Sequence, residues 1–294
     1  MFTLAHLSDI HLPPVPWPRL AELDLKRALG LGNWHLGRKR QHRRQVLDAL
    51  VADLHSQRPD HIAVGGDLVN IGLPAELAAA RRWLDGLGSP AAVTVVPGNH
   101  DIYGPFGRDP GIERWRDFMR GDDGTAAFPF VRRFGRIALI ALSSAVPTPV
   151  FWASGRLGMQ QRQALAALLA GLGAENCFRI VLLHHPPLPG QADRRRELKD
   201  APELAAILSR HGAELVLHGH NHQATVRWLE RPGARVPVVG VPAASAFPGA
   251  HTTAARYNLF AIENTGESWR VGLVEREYRG GGQVAEVGRT MLTG

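Results

Sequence analysis

Along the first two thirds of the chain, short apolar runs alternate with segments whose apolar positions recur every three or four residues. The runs at 2–8, 60–65, 91–96, 137–142, 179–183 and 214–217 have the length of buried strands, and each stops at a glycine, proline or polar residue. Between them, 38–57, 75–87, 160–172 and 204–211 carry helical spacing. In 38–57, Val46, Leu47, Leu50, Val51 and Leu54 form one face and arginines the other. Residues 13–18, Pro-Pro-Val-Pro-Trp-Pro, can be neither helix nor central strand and predict an extended loop. From about residue 223 the pattern changes to short strands with turns (225–229, 236–241, 259–263, 269–275), which predicts an antiparallel meander. Strand-helix alternation with a strand-rich tail predicts an α/β layered fold. With no internal repeat and no long polar linker, a single domain over 1–294 is expected, carrying a basic, aromatic insertion at about 13–37.

Composition narrows this only modestly. The 294 residues are 45% hydrophobic, enough for a large core. The lone cysteine, Cys177, excludes an intrachain disulfide and a thiolate metal cage. The first residues resemble no signal peptide, and no apolar run reaches the roughly 18 residues of a membrane span, so a soluble, cytoplasmic protein is expected. A net charge of +7 favours an anionic partner without choosing among nucleotide, phospholipid and nucleic acid.

The chemistry sits where the strands stop. The first ends in Asp9-Ile10-His11, the second in Gly65-Gly66-Asp67-Leu68-Val69-Asn70, and the third in Pro97-Gly98-Asn99-His100-Asp101. Two later ones end in His184-His185-Pro186-Pro187 and His218-Gly219-His220-Asn221-His222. In open α/β sheets, sites form beyond the carboxyl ends of the strands, so these clusters are expected to converge. Carboxylate, amide oxygen and imidazole suit Mn, Fe, Zn or Co. The donors outnumber the needs of one four-coordinate ion, which points to two ions sharing a carboxylate.

In order and interval, these clusters resemble the signature of the calcineurin-like metallophosphoesterases: Asp-x-His, Gly-Asp, Gly-Asn-His-Asp/Glu, His, and Gly-His-x-His, here from residue 9 to residue 222. The resemblance, particularly to bacterial cyclic-nucleotide phosphodiesterases (class III), implies a four-layer α/β/β/α sandwich of two mixed sheets. It implies that Asp9, His11 and His222 hold one metal ion, that Asn99, His184 and His220 hold the other, and that Asp67 bridges them. It further implies that His100 touches the substrate phosphate while Asp101 holds the far nitrogen of His100. The implied reaction is attack on phosphorus by a hydroxide bridging two ions about 3.5–4 Å apart. Two divalent ions, less two carboxylates and a hydroxide, leave a site of about +1 that attracts a small phosphate-containing anion.

Other features admit plainer readings. His6, His35, His42, His55, His61 and His211 lack strand-end placement and read as ordinary core or surface residues. His185 and His218 read as neighbours of ligands, His184 being preferred because the family pattern is His-x-Pro. Asn70 reads equally as a helix cap or a site residue. Ser143-Ser144 lacks the Gly-x-Ser-x-Gly elbow of a nucleophilic serine. The cations of 13–44 (Lys26, Arg27, Arg38, Lys39, Arg40, Arg43, Arg44) form either a solvated helix face or a lid that meets phospholipid at a membrane surface. The expected activity is phosphodiester hydrolysis on cyclic nucleotides or similar small diesters. The alternative is pyrophosphohydrolysis of a nucleotide-linked lipid precursor of the UDP-diacylglucosamine type. A nuclease is disfavoured for want of heptads or an added DNA-binding segment, and a metal-free scaffold because no ligand is missing. A homodimer is left open as a partner state.

Overall fold

The computed structural model describes residues 1–103, 110–249, 253–266 and 268–292. Two six-stranded mixed sheets form its centre, one ordered β12-β11-β10-β1-β2-β3 and the other β4-β5-β6-β7-β9-β8. In the first sheet, β1 (Phe2–Leu7), β2 (His61–Val64) and β3 (Val93–Val95) run parallel, and β10 (Arg256–Asn264), β11 (Trp269–Gly280) and β12 (Gln283–Met291) continue it antiparallel from β1. In the second, β5 (Ile137–Ala141), β6 (Phe178–Leu182), β7 (Leu215–His218) and β9 (Ala234–Gly240) are parallel. The edge strands β4 (Phe130–Phe134) and β8 (Thr225–Arg231) run against them.

The alternation of strand side chains builds the layers. Leu139, Ile180, Leu215 and Leu217 point from the second sheet into a core shared with Leu4, Ile62 and Val93 of the first. Their neighbours Ile140, Val181 and Val216 point the other way, onto α5 (Gly158–Ala174) and α6 (Ala201–His211) through Leu165, Leu169, Leu204 and Leu208. On the far side of the first sheet, α3 (Arg44–Ser56) packs against β10, β11 and β12. The result is the α/β/β/α sandwich of two mixed sheets. Strands buried on both faces need continuous apolar runs, which is why they were legible.

Three expectations are corrected. The strand-rich tail is not one meander: β8 and β9 form a hairpin on the second sheet, and β10–β12 return to the first. Strands β4 and β12 carried no clear signal; β12 is largely exposed and its sequence polar, as suits an edge. The helix expected over 38–57 is broken. Helix α1 (Leu25–Asn33) runs into a π-helical turn, Trp34–Arg38, and a short α2 (Lys39–Gln41) before extended His42 and Arg43 precede α3. The break has a cause in pairing: His42 bridges Ala246, and Arg43 N–H donates to the Ser245 carbonyl at 2.9 Å.

The strand ends are level. Leu7 is registered with Val64, and Val64 with Val95; Leu182 is registered with Leu217. A parallel bridge from Ser8 to Ala243 joins the two sheets at that same end. Away from it, Asp53 of α3 accepts from Tyr257 Oη at 2.6 Å and from Arg276 Nε and Nη2 at 2.6 and 2.7 Å, pinning the helix to β10 and β11. Asp53→Ala leaves a phenol and a partly buried guanidinium without that acceptor, and is expected to cost about 2–3 kcal/mol. The check is the midpoint of urea denaturation at unchanged m-value; an unchanged midpoint would mean that the pin is dispensable.

Candidate metal centre

Backbone shape places the side chains before any side-chain contact does. Asp9, His11, Asp67, His220 and His222 all have left-handed backbone, with φ of 54°, 40°, 53°, 69° and 54°. Residues with a Cβ rarely adopt it, at a cost on the order of 1–3 kcal/mol each, and such strain clusters where function needs it. The loops also approach closely. A Cβ on Gly98 would strike the Asp67 carboxylate, and one on Gly219 would strike Ser8 Oγ and Asp9 Oδ2.

Each carboxylate is anchored by one oxygen and offers the other. Asp67 Oδ1 accepts from His100 N–H at 2.8 Å, leaving Oδ2 at 3.4 Å from His184 Nε2 and 3.8 Å from His11 Nε2. Asp9 Oδ2 accepts from His220 N–H at 2.9 Å, leaving Oδ1 at 3.1 Å from His222 Nε2 and 4.0 Å from His11 Nε2. The imidazoles are set the same way. His184 Nδ1 donates to the Gly65 carbonyl at 2.7 Å and His11 Nδ1 to that of Val69 at 3.2 Å, so each directs its Nε2 inward. His184 Nε2 then lies 3.2 Å from both Asn99 Oδ1 and His220 Nδ1, and His11 Nε2 lies 3.3 Å from His222 Nε2.

The donor set fits a pair of cations. Donor atoms of His11, Asp67 and His100 lie within 4.8 Å of one another, as do those of Asp67, His184 and His220, so Asp67 belongs to both groups. Buried lone pairs facing one another are unfavourable unless a proton or a cation lies between them. Asp9 Oδ1, fully buried, makes no well-formed hydrogen bond. Burial alone would raise both carboxylates, but His222 beside Asp9 and His184 beside Asp67 outweigh it and hold them below their ordinary range. Burial would lower His184, yet Asp67 raises it to about 9. Burial, with neighbouring cations, holds His11 and His220 neutral, the form in which imidazole binds metal.

The sequence matches the calcineurin-like phosphoesterase family over residues 2–224, three quarters of the chain. The chain belongs to that family. Among curated relatives, it is 31% identical over 193 residues to a probable cyclic nucleotide phosphodiesterase of Synechococcus, covering 61% of this chain and 64% of the relative. It is 28% identical over 234 residues to a cAMP/cGMP dual specificity phosphodiesterase of Mycobacterium tuberculosis, covering 76% and 63%. The chain thus spans less than two thirds of the length of these curated relatives. A dimetal phosphatase from Danio rerio shares the fold, with a TM-score of 0.66 at 15% identity, over 99% of this chain and 98% of the other.

In this member of the family, Asp101 does not do what the resemblance implied. Its Oδ1 accepts from Leu68 N–H at 2.8 Å and Val69 N–H at 3.2 Å, and its Oδ2 from Gly98 N–H at 2.9 Å. A carboxylate saturated by backbone donors ties the second-strand loop to the third. The far nitrogen of His100 instead donates, through a short contact, to the Asn70 carbonyl. Asn70 is not the cap of the following helix, whose N-cap is Leu73; it lines the site, and its backbone carbonyl fixes the His100 tautomer. His185 is turned away, its Nδ1 2.8 Å from Ser144 Oγ and its Nε2 donating to the Ala153 carbonyl at 3.0 Å.

Two site residues escaped the sequence reading. His42 is buried with its ring centroid 4.7 Å from that of His11 and 5.9 Å from that of His222, and its Nδ1 is held by Ser245 Oγ at 2.8 Å. Arg38 reaches His11 Nε2 at 3.1 Å. Both come from the turn-and-break that helical periodicity concealed. The available signal was the repeat of four from Trp34 to Arg38 and from Arg38 to His42, which in a helix sets the three on nearly one face.

Asp101→Ala removes the acceptor of three backbone N–H groups and is expected to cost about 3 kcal/mol in denaturant unfolding, with Asp101→Asn costing less. An Asp101→Ala protein of native stability with damaged turnover alone would restore a direct role beside His100.

Proposed function

We propose that the chain, acting as one domain, hydrolyses phosphodiesters with two bound metal ions, on cyclic nucleotides or similar small diesters. The observation that carries this reading is the convergence of Asp9, His11, Asp67, Asn99, His184, His220 and His222 at level strand ends, with Asp67 facing both halves. The names of the Synechococcus and Mycobacterium relatives support the diester as substrate. Asp9, His11 and His222 would hold one ion, Asn99, His184 and His220 the other, and Asp67 both; a single cytosolic compartment suits a chain with one cysteine. No helix among the described residues is long and apolar enough to cross a membrane.

Two such ions supply an activated water and neutralise phosphate charge. The protein's own residues do the rest. His100 borders a cavity of about 320 Å³ beside the donors, together with Asn99, Asn70, Trp34 and Tyr103. Burial holds His100 near a pKa of about 4, against the pull of Asp67. With Nδ1–H committed to Asn70, its Nε2 is an acceptor until an anionic phosphate beside it favours uptake of a proton from solvent. It then donates to the phosphoryl oxygen or to the leaving group. Tyr103 stacks on His100 at 5.6 Å and 25°, extending a flat wall toward the ester's organic group.

A specific observation favours a second, amphiphilic class of substrate. Trp17, Leu20, Leu25 and Leu36 are 82%, 89%, 69% and 86% exposed, in a segment that also carries Arg19, Lys39 and Arg40. Exposed apolar side chains among cations suit the headgroup region of an anionic bilayer.

With Mn²⁺ supplied, the protein is expected to bind two metal equivalents and to hydrolyse bis(p-nitrophenyl) phosphate and a 3′,5′-cyclic nucleotide faster than phosphomonoesters. Asp67→Ala should lose paired metal and turnover together, while His100→Ala keeps the metal and loses about 10²–10⁴-fold in kcat on a poor leaving group. Two bound ions with no diester turnover would sink the reading. Separately, vesicles of phosphatidylglycerol, but not of phosphatidylcholine, should sediment the protein. Trp17→Ser with Leu36→Ser should weaken this about tenfold, by loss of buried apolar area; equal sedimentation of both proteins would remove the membrane contact.

A further inference from the structure

We propose that Arg38, delivered by the π-helical turn of the 13–44 segment, binds the phosphoryl group of the substrate beside His100. This rests on the two-metal phosphoesterase reading and adds to it a residue outside the family's signature. The segment is built to hold it there. Trp34, one turn earlier, is buried with Val15, Ile71 and Leu73 and fixes the helix against the body. His42, four residues later, is locked by Ser245 and by the bridge to Ala246. Between these two anchors, the Arg38 side chain turns inward, with Nη2 3.1 Å from His11 Nε2 and Nη1 3.5 Å from His100 Nε2.

A guanidinium in such a place is open to an anion. Among the described residues no carboxylate lies within ion-pair distance of Arg38; Asp67 and Asp9 act on it only from farther away. Arg38 is only partly buried, at the lining of a cavity, so a guanidinium with no carboxylate in reach there is available to pair with an anion that enters the cavity. The His11 lone pair cannot satisfy it in the working protein, because the same Nε2 faces both carboxylates as a metal donor. What remains in reach is the space at His100 and the cavity that Arg38, Asn99 and His100 line together. A phosphoryl group there offers two or three oxygens to a planar fork of N–H donors, the match that arginine makes better than lysine. The cation also raises the local charge by one, which favours the transition state, where charge builds on those oxygens.

The test compares wild type, Arg38→Gln and Arg38→Lys in the metal-loaded protein, with inorganic phosphate as the probe. Metal content, thermal midpoint, inhibition by phosphate and kcat/KM on bis(p-nitrophenyl) phosphate are all read. Arg38→Gln is expected to hold two metal equivalents, to bind phosphate about tenfold to a hundredfold more weakly, and to lose about 10²–10³-fold in kcat/KM. Arg38→Lys should recover part of the phosphate affinity. Phosphate inhibition and kcat/KM unchanged in Arg38→Gln would overturn the assignment. So would loss of metal from a folded Arg38→Gln, since Arg38 would then support the ligand shell. A wild-type protein that takes up no metal would fail earlier, at the reading beneath.

Discussion

Lone pairs that would repel one another must be held face to face, and the rest of the structure serves that requirement. Asp9 and Asp67 each give one oxygen to a backbone N–H of a different loop and keep the other for the centre. Each anchored oxygen therefore does two things: it orients the free one, and it ties the loop after one strand to the loop after another. The cross-ties run from the first loop to the last through His220 N–H, from the second to the third through His100 N–H, and again through Asp101. A site made of strained left-handed residues and crowded glycines gains nothing from its own local conformations. Its stability comes from the two cores below it, one between the sheets and one beneath α5 and α6.

The level strand ends explain why the site was so legible in the sequence. When parallel strands are buried on both faces, each apolar run stops where the chain leaves the sheet, and the first polar residues after it land at one edge of the crevice. Asp9, Asp67, Asn99, His184 and His220 were readable for that reason. The layers were readable too, because alternation along β5 and β6 divides Leu139 and Ile180 from Ile140 and Val181. What failed lacked that coupling. Strand β12 is an exposed edge with no apolar period, so nothing in it distinguishes strand from loop.

The misreading of Asp101 has a different origin. A carboxylate following a histidine is equally suited to an imidazole and to backbone N–H groups, and one-dimensional order cannot tell them apart. The structure decides by proximity: the loop after β2 brings Leu68 and Val69 N–H to Asp101, and puts the Asn70 carbonyl at His100. The tautomer of His100 is thus set by a backbone group whose position depends on Glu76, which accepts from Asn70, Ile71 and Leu73 N–H at 2.8, 3.2 and 3.0 Å. One helix terminus, that of α4 (Pro74–Leu87), is in this way part of the geometry of the site.

The 13–44 segment shows how a site can be extended without altering its ligands. An uninterrupted helix over 38–57 would carry Val46 and Leu50 to the core but would run past the metal centre. Breaking it at His42 lets the preceding turn lie against the first ligand loop while α3 keeps its packing on β10 and β11. The π-turn widens the helix where Trp34 is buried and Arg38 departs, a deviation that is costly in an ordinary helix and recurs at functional sites. In the proposed reaction the metal ligands fix where phosphorus sits, so selectivity has to come from groups that reach the phosphoryl oxygens or the ester's organic part from outside that shell. Arg38, beside His100, is placed for the first, and Trp34 and Tyr103 line the cavity that would take the second.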